Sequence, residues 1–437
     1  MCEEKVFPKV LVISHNAFST TGNMGKTLSD ILACVPADNI AQLFFHNDRP
    51  DAACSCKSYY RVTDVDMVKS VLSRKARYKI YSGEFSAAKS VTPQTEKNGG
   101  TIHKIYQFSR RRTPFIYMAR NLLWSIGLWD TAELERWIKE FSPDVIFFAC
   151  GDYAFAYKIV YKIARKLGIR VIPWCCDDFC LRQLEPHWFM QRLVRADLEN
   201  WTKKVFSLAD SIITISDKMA QDYSEHFGVK TSTVRISAQI LQPAAPQQRS
   251  GICYIGNLGV GRITPLLQFA AALHTAQIKG LEKLHVYSGE KNADTIAMLK
   301  NCTGVEYHGA VTADKVKQLQ GSAKYLLHTE SSDMHSKNRT RYSLSTKIGE
   351  YLASGACIAA YGPMDIASME YLSQGGGALL SDSAEKLIQL ITAAENDADI
   401  YTKTVNNGLD MAQKYHNRHN NNNLMKNLIC FSAGQRK

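Results

Sequence analysis

The sequence predicts an α/β protein built as two doubly wound domains facing each other across a cleft. Three observations carry this. Short β-branched or apolar runs alternate with helical stretches of about 10 to 15 residues, a pattern that implies parallel sheets covered by helices on both faces. The alternation stops at Gln242–Arg249 (QPAAPQQR), a Pro, Ala and Gln run without periodicity, and then begins again. A length of 437 residues gives each of two domains enough chain to bury its own core.

Taken in order, Lys9–Ile13 (KVLVI) reads as a strand. A Gly-containing loop and the helical spacing of Leu28, Ile31 and Leu32 follow it. Ile40–Phe45 reads as a second strand and Asp64–Leu72 as a helix. The stretch 74–112 loses all period and reads as a long basic excursion ending in Arg110-Arg111-Arg112. Phe115–Ile138 is amphipathic, Asp144–Phe148 a buried strand, and Tyr153–Leu167 a helix closed by Gly168. Arg170–Trp174 and Ala209–Ile215 are the next strands. The second series has strands at Ile252–Ile255, Lys283–Tyr287, Val305–His308, Tyr325–His328 and Cys357–Ala360. Met411–Cys430 reads as a helix crossing back onto the first domain, bent by Asn420–Asn423. The expected domains are therefore 1–240 plus the helix 411–437, and 250–410.

Composition removes several classes. A chain 45% apolar and 22% charged is globular, neither disordered nor fibrous, and no 20 to 50 residue repeat suggests a solenoid. Glu3, Glu4 and Lys5 stand where a secretory signal would need basic and then apolar residues, so the chain is expected in the cytoplasm. Its twelve cysteines are then expected as free thiols. Cys54-Ser-Cys56 and Cys175–Cys180 lack the spacing with which paired thiolates grip zinc, and the sequons at Asn301 and Asn338 go unused. The net charge of +12 (53 Lys and Arg against 41 Asp and Glu) is not gathered into a nucleic-acid module, and it suits an anionic membrane surface equally well. Arg110–Arg112 and Arg120, interleaved with Phe115, Tyr117, Trp124 and Trp129, would be the docking region on the inner leaflet.

Ligands of open parallel sheets bind beyond the carboxyl ends of the strands, so the residues there matter most. After Ile252–Ile255 comes the turn Gly256-Asn257-Leu-Gly-Val-Gly-Arg262. A polar loop after the Leu326 strand ends in Ser343-Leu344-Ser345-Thr346-Lys347-Ile-Gly-Glu350-Tyr-Leu-Ala-Ser-Gly355. This second stretch resembles the nucleotide-sugar loop and helix of GT-B glycosyltransferases of the family 4 type, especially bacterial enzymes of surface-polysaccharide synthesis. Ala209–Met219 (ADSIITISDKM) and Pro143–Phe147 are similar to two further segments of that family.

The resemblance implies transfer of a sugar from a nucleotide-diphosphate donor to a hydroxyl of a glycan or polyprenyl-linked glycan. Retention of configuration is implied, and neither metal nor cofactor. Leaving-group charge must then be met by fixed cations and helix N-terminal amides. Arg262 and Lys347 are the candidate cations, Leu344–Thr346 the amide cradle with Ser343 and Asn257 beside it, and Glu350 the ribose acceptor. Gly22 and Gly25, after the first strand, would let the backbone approach the donor phosphate. Where many relatives have His-Asp this chain has Cys176-Asp177, followed by Asp178; Asp177 or Asp178 would orient the acceptor hydroxyl or simply cap a helix start, and His187 is a further candidate. Two positions depart from the family pattern. Tyr342 stands where the first of the paired glutamates belongs, with Glu330 the nearest replacement, and Leu267 stands for a lysine.

Two rival readings remain. Thr20–Thr27 is close to a P-loop with Gly25-Lys26-Thr27 as its phosphate grip, but lacks its first glycine. A non-enzymatic basic protein binding nucleic acid or membrane is the other. Asp64-Val-Asp66 imitates a metal-binding DxD, yet begins a helical pattern, where carboxylates favour the helix dipole.

Overall fold

The computed structural model describes residues 7–20, 23–51, 53–75, 78–82, 113–181, 189–240 and 248–435. Gly22, His187, Arg110–Arg112 and most of the expected linker lie outside the described residues. The chain divides into two compact units: Met1–Thr214 with Gln221–Ser232 and Asn422–Lys437, and Ile215–Ala220 with Thr233–Asn421.

The first unit contains β1 (Val10–Ser14), α1 (Asn23–Ile31), β2 (Ile40–Phe44), β3 (Ser58–Arg61), α2 (Asp64–Ser73), β4 (Lys79–Ser82), α3 (Pro114–Ile126), α4 (Ala132–Phe141), β5 (Val145–Ala149), α5 (Ala154–Leu167), β6 (Arg170–Cys175), α6 (Phe189–Phe206) and β7 (Ile212–Thr214). Next come α7 (Asp217–Phe227), which straddles the division, and β8 (Thr231–Thr233), which ends at it. The sheet order is β4-β3-β2-β1-β5-β6-β7-β8. Pairings from β3 to β7 are parallel, and β4 is antiparallel. Strands β1, β2 and β5 are buried along their whole length, as expected of a sheet covered on both faces.

The second unit contains β9 (Ser250–Ile255), α8 (Ile263–Ala276), β10 (Leu284–Tyr287), α9 (Ala293–Asn301), β11 (Val305–Gly309), α10 (Ala313–Ser322), β12 (Ala323–Thr329), α11 (Met334–Thr340), α12 (Thr346–Ser354), β13 (Cys357–Tyr361), α13 (Ala367–Gly375), β14 (Ala378–Ser381), α14 (Ala384–Asn396) and α15 (Ala398–Tyr415). The last helix, α16 (Arg418–Gly434), begins here and ends in the first unit. Its sheet, β11-β10-β9-β12-β13-β14, is parallel throughout. The order reverses between β9 and β12, the switch point at which a doubly wound sheet opens a ligand crevice. Two apolar cores, one around Leu266, Phe269 and Leu284 and the other around Ile348, Leu352 and Met369, cover its faces.

Four local expectations are corrected. The excursion after residue 74 contains strand β4, paired to β3. The amphipathic stretch 115–138 is two helices, because Gly127 closes α3 and the Thr131 hydroxyl caps α4 by accepting from the Leu134 amide. The C-terminal helix breaks at His416, and Asn420–Asn423 lie inside α16. The His416 ring is buried between the Ile236 carbonyl, 2.8 Å from Nδ1, and the Tyr371 hydroxyl, 3.0 Å from Nε2, and Asn417 Oδ1 then accepts from the amides of the next turn. Arg249, assigned to the linker, is buried and donates to the carbonyls of Ala323 and Ser354 at 3.1 and 2.6 Å.

Candidate functional site

At the switch point of the second unit, the turn after β9 and the loop after β12 bring three charged side chains together. Arg262, at the N-cap of α8, donates from Nη2 to Glu330 Oε1 at 2.8 Å. Glu330 follows β12 and is only 3% exposed. Burial pushes its carboxyl up against the opposing pull of Arg262 and Lys347. Burial works against the Arg262 charge, and Glu330 more than restores it. Lys347, in the first turn of α12, has its amine pushed down to about 8, first by burial and then by the Arg262 charge, with Glu350 and Glu330 opposing. His328, buried in β12, is driven down to about 3 by burial, then by the same two cations, and is therefore neutral.

Glycine makes this convergence possible at two places. Gly256 has φ +150°, and a Cβ there would sit 1.6 Å from Lys347 Nζ, so the lysine head occupies the space a side chain would fill. Gly261 has φ +72°, and its Cβ would meet Ser336 Oγ, Asp333 Oδ2 and Ser331 Oγ at 2.7 to 2.9 Å. Only glycine lets the turn lie on this loop and deliver Arg262 to Glu330.

The motif residues take definite places. Ser345 is the N-cap of α12 without a side-chain cap bond, so the first turn, starting at Thr346 and Lys347, presents amides at the crevice. The Ser343 amide donates to the Thr340 carbonyl at 2.8 Å, and Leu344 packs on the second core. Ser216, from the segment resembling ADxIIxIS, donates to the Tyr342 carbonyl at 2.8 Å and so pins the loop entering α12. Asn257 is exposed, and its Oδ1 accepts from the Gly259 amide. Glu350 is exposed on α12 and accepts from Gln320 Nε2 at 3.1 Å.

Sequence reasoning placed Arg262 and Lys347 but missed how Glu330 and His328 frame them. Glu330 Oε2 and Thr329 Oγ1, among the described residues, are buried without a hydrogen-bond partner. The paired-glutamate offset that pointed to Tyr342 and then to Glu330 was the only available signal.

In the first unit, Gly25 lies inside α1 rather than in the preceding loop. A Cβ on it would meet the Ala17 carbonyl oxygen at 2.4 Å, so the glycine seats α1 on that loop. Lys26 is exposed. Asp178 is buried and accepts from the amides of Cys180 and Leu181 at 3.1 and 2.8 Å and from the Tyr223 hydroxyl at 2.9 Å. It caps the turn at 178–181, whereas the alternative expected from sequence was the cap of a helix start; Asp177 is half-buried and accepts from the Asp178 amide. Asp64, of the apparent DxD, accepts from Arg120 Nε and Trp124 Nε1 at 2.8 and 2.7 Å, and Thr63 and Asp66 form a capping box.

A cluster not foreseen from sequence lies at the first unit's own switch point, between β1 and β5. His15 follows β1, His46 follows β2 and Tyr153 follows β5. The His15 ring is 5.2 Å from that of His46 and 5.3 Å from that of Tyr153, which is 5.4 Å from Tyr117. Arg120 lies 3.9 Å over Tyr153. Asp152 accepts from the Tyr117 hydroxyl at 2.5 Å, and Asp48 lies 2.8 Å from His46 Nδ1, which holds its carboxyl below the usual range. Aromatic faces edged by carboxylates suit a sugar, which offers C–H faces to rings and hydroxyls to acceptors.

Two Rossmann-like α/β units, each with its crevice residues at a switch point, define the GT-B fold, and comparison with solved structures agrees. The Anabaena protein HepE in complex with UDP superimposes with a TM-score of 0.61 over 97% of this chain and 100% of that one, at 13% identity. An Escherichia coli structure described as trehalose-6-phosphate bound with UDP-2-fluoro glucose gives 0.59, 96%, 98% and 11%. WaaG, a glycosyltransferase involved in lipopolysaccharide biosynthesis, gives 0.53, 95%, 99% and 11%. At such identities the likeness concerns the fold. Residues 90–237 match the sequence model of Glycosyltransferase Family 4, and it is by that domain that the protein is a glycosyltransferase. No curated protein matches by sequence.

Proposed function

We propose that the second unit binds a nucleoside-diphosphate sugar, with UDP as the nucleotide, and that the sugar passes to a hydroxyl of a glycan or lipid-linked glycan in surface-polysaccharide synthesis. The observation carrying this is the meeting of Arg262, Lys347 and the uncapped start of α12 at one switch point. Together they form a fixed positive surface for the charge that develops on a departing diphosphate. The same groups would do this work without a metal or cofactor. Glu330 Oε2 and Thr329 Oγ1 would accept from and donate to the donor sugar's hydroxyls, taking the place left by Tyr342, and Glu350 the ribose hydroxyls. In the first unit, the His15, His46 and Tyr153 tier with Asp48 and Asp152 would seat the acceptor. Asp177, less buried than Asp178, would be the carboxylate that reaches it.

With the leaving phosphate taking the acceptor's proton, transfer retains the donor's configuration. UDP is favoured over other nucleotides because UDP and UDP-2-fluoro glucose are what the HepE and E. coli structures contain. The expected placement is cytoplasmic, on the inner membrane surface. Among the described residues no helix is long and apolar enough to cross a membrane. Of the residues expected to dock there, Arg120, Trp124 and Trp129 are buried, but Phe115, with Met118, Leu122 and Ile126, forms an exposed apolar ridge at helical spacing along α3.

The test is a thermal-shift and calorimetry panel with UDP, GDP, CDP and dTDP and their sugars, and with ATP plus magnesium, each with and without EDTA. A dose-dependent rise with UDP or a UDP-sugar that survives EDTA is expected. A rise with ATP and magnesium alone would transfer the argument to Gly25-Lys26-Thr27.

A further inference from the structure

The polar face of β11, an edge strand of the second unit's sheet, and of its neighbour β10 carries a cluster away from the switch point. In the parallel pair β10 and β11, His285 stands opposite Glu306, and the register shifts after Val286 so that Tyr287 pairs with Gly309. Glu306 and His308, two residues apart on β11, share a face of the sheet, and their cross-strand neighbour His285 shares it too. The irregularity draws His308 toward His285. Its Nε2 comes to 3.1 Å from His285 Nδ1. Each nitrogen faces its own oxygen of one carboxylate, Glu306 Oε2 at 3.8 Å from His285 and Oε1 at 3.7 Å from His308.

We propose that His285, Glu306 and His308 hold a divalent transition-metal ion, Zn²⁺, as a clip between β10 and β11. The distances fit this chemistry. Two imidazole nitrogens about 2.05 Å from one tetrahedral ion lie about 3.3 Å apart, close to the observed separation. The carboxylate, half-exposed, needs only a side-chain adjustment to close the third position, and water completes the shell. A donor set of two imidazoles and one carboxylate selects zinc and its first-row neighbours over magnesium or calcium, which prefer all-oxygen shells. The rings are held in place beforehand: His308 stacks on Tyr287 at 4.5 Å and 10° and on His285 at 5.3 Å.

The clip is structural and separate from the sugar-transfer reading. Its neighbour Tyr287 accepts, at its carbonyl, from the Gly256 amide at 2.8 Å, and Ser288 donates its amide to the Gly309 carbonyl at 2.9 Å. An ion joining β10 to β11 therefore braces the strand ends on which the Gly256 turn rests.

The experiment uses the full chain, stripped with EDTA and returned to EDTA-free buffer at pH 7.5. It is titrated with Zn²⁺ alone by calorimetry and with Co²⁺ by absorption spectroscopy. One equivalent should bind with a dissociation constant in the micromolar range or below and raise the melting temperature. His308→Ala and His285→Ala should each weaken binding at least tenfold and lose that rise, while melting like the wild type in EDTA. If an alanine variant melts early in EDTA, Glu306→Gln, nearly isosteric, carries the same comparison. Co²⁺ should give d–d bands without thiolate charge transfer. Failure to take up Zn²⁺ would leave only an imidazole-to-imidazole hydrogen bond and overturn the proposal. So would undiminished uptake by the variants, or a thiolate band assigning the ion to the cysteines.

Discussion

Lys347 is the one cation of the donor site whose charge can be titrated away within a workable pH range. Burial and Arg262 bring its amine down to about 8 in the free protein. A bound diphosphate reverses the local field and should return it toward the ordinary lysine value of about 10.4. The complex then holds a proton that the free protein has lost, so affinity must fall as pH rises through 8. With an amine pKa of about 8, the charged fraction drops from about 0.76 at pH 7.5 to about 0.09 at pH 9.0. That is an affinity loss of about eightfold, or about 1.2 kcal/mol. Calorimetry of UDP binding at the two pH values, in buffers of different ionisation enthalpy, reads both quantities. Uptake of about 0.9 proton per UDP is expected at pH 9.0. The Lys347→Met variant should bind about as weakly at pH 7.5 as the wild type does at high pH, and any residual slope from uracil ionisation should appear in both proteins. Equal slopes in the two would refute the assignment of Lys347 to the diphosphate.

Gly256→Ala places a methyl where Lys347 Nζ lies, on a backbone that favours glycine, and should reduce UDP affinity as much as Lys347→Met with its pH slope also lost. Arg262→Ala leaves Glu330 buried without its partner and should cost about 3 kcal/mol in urea unfolding at pH 7.5. The Glu330 carboxyl is raised in the folded state, so protonation relieves the charge as pH falls, and the deficit should be smaller at pH 5; a constant deficit would contradict the pairing. Asp178→Ala strands two amides and a tyrosine hydroxyl and should lower stability by about 2 to 4 kcal/mol. Asp177→Ala should leave the melting temperature nearly unchanged while lowering turnover. Glu350→Ala should raise the donor dissociation constant about tenfold if its carboxylate takes the ribose.

Much of this molecule was legible in the sequence because the relevant physics is local. The alternation of β-branched runs with helical spacing is set by backbone preference and by burial on two sheet faces, and both α/β series followed from it. The turn Gly256–Arg262 and the loop into Thr346 were legible for the same reason, since glycine and helix-start residues act over a few positions. What the tertiary structure decided lies in contacts between distant residues. Arg262 meets Glu330 68 residues along the chain only because β9 and β12 are neighbours at the switch point. His15, His46 and Tyr153 meet because three strand ends converge. His285 meets His308 because of one register shift in β11, invisible in a search for closely spaced ligands. The break at His416 likewise depends on Ile236, 180 positions away. Helix and strand are chosen by neighbours in sequence, whereas a site is assembled by strand order and register, which emerge only when the whole sheet has formed.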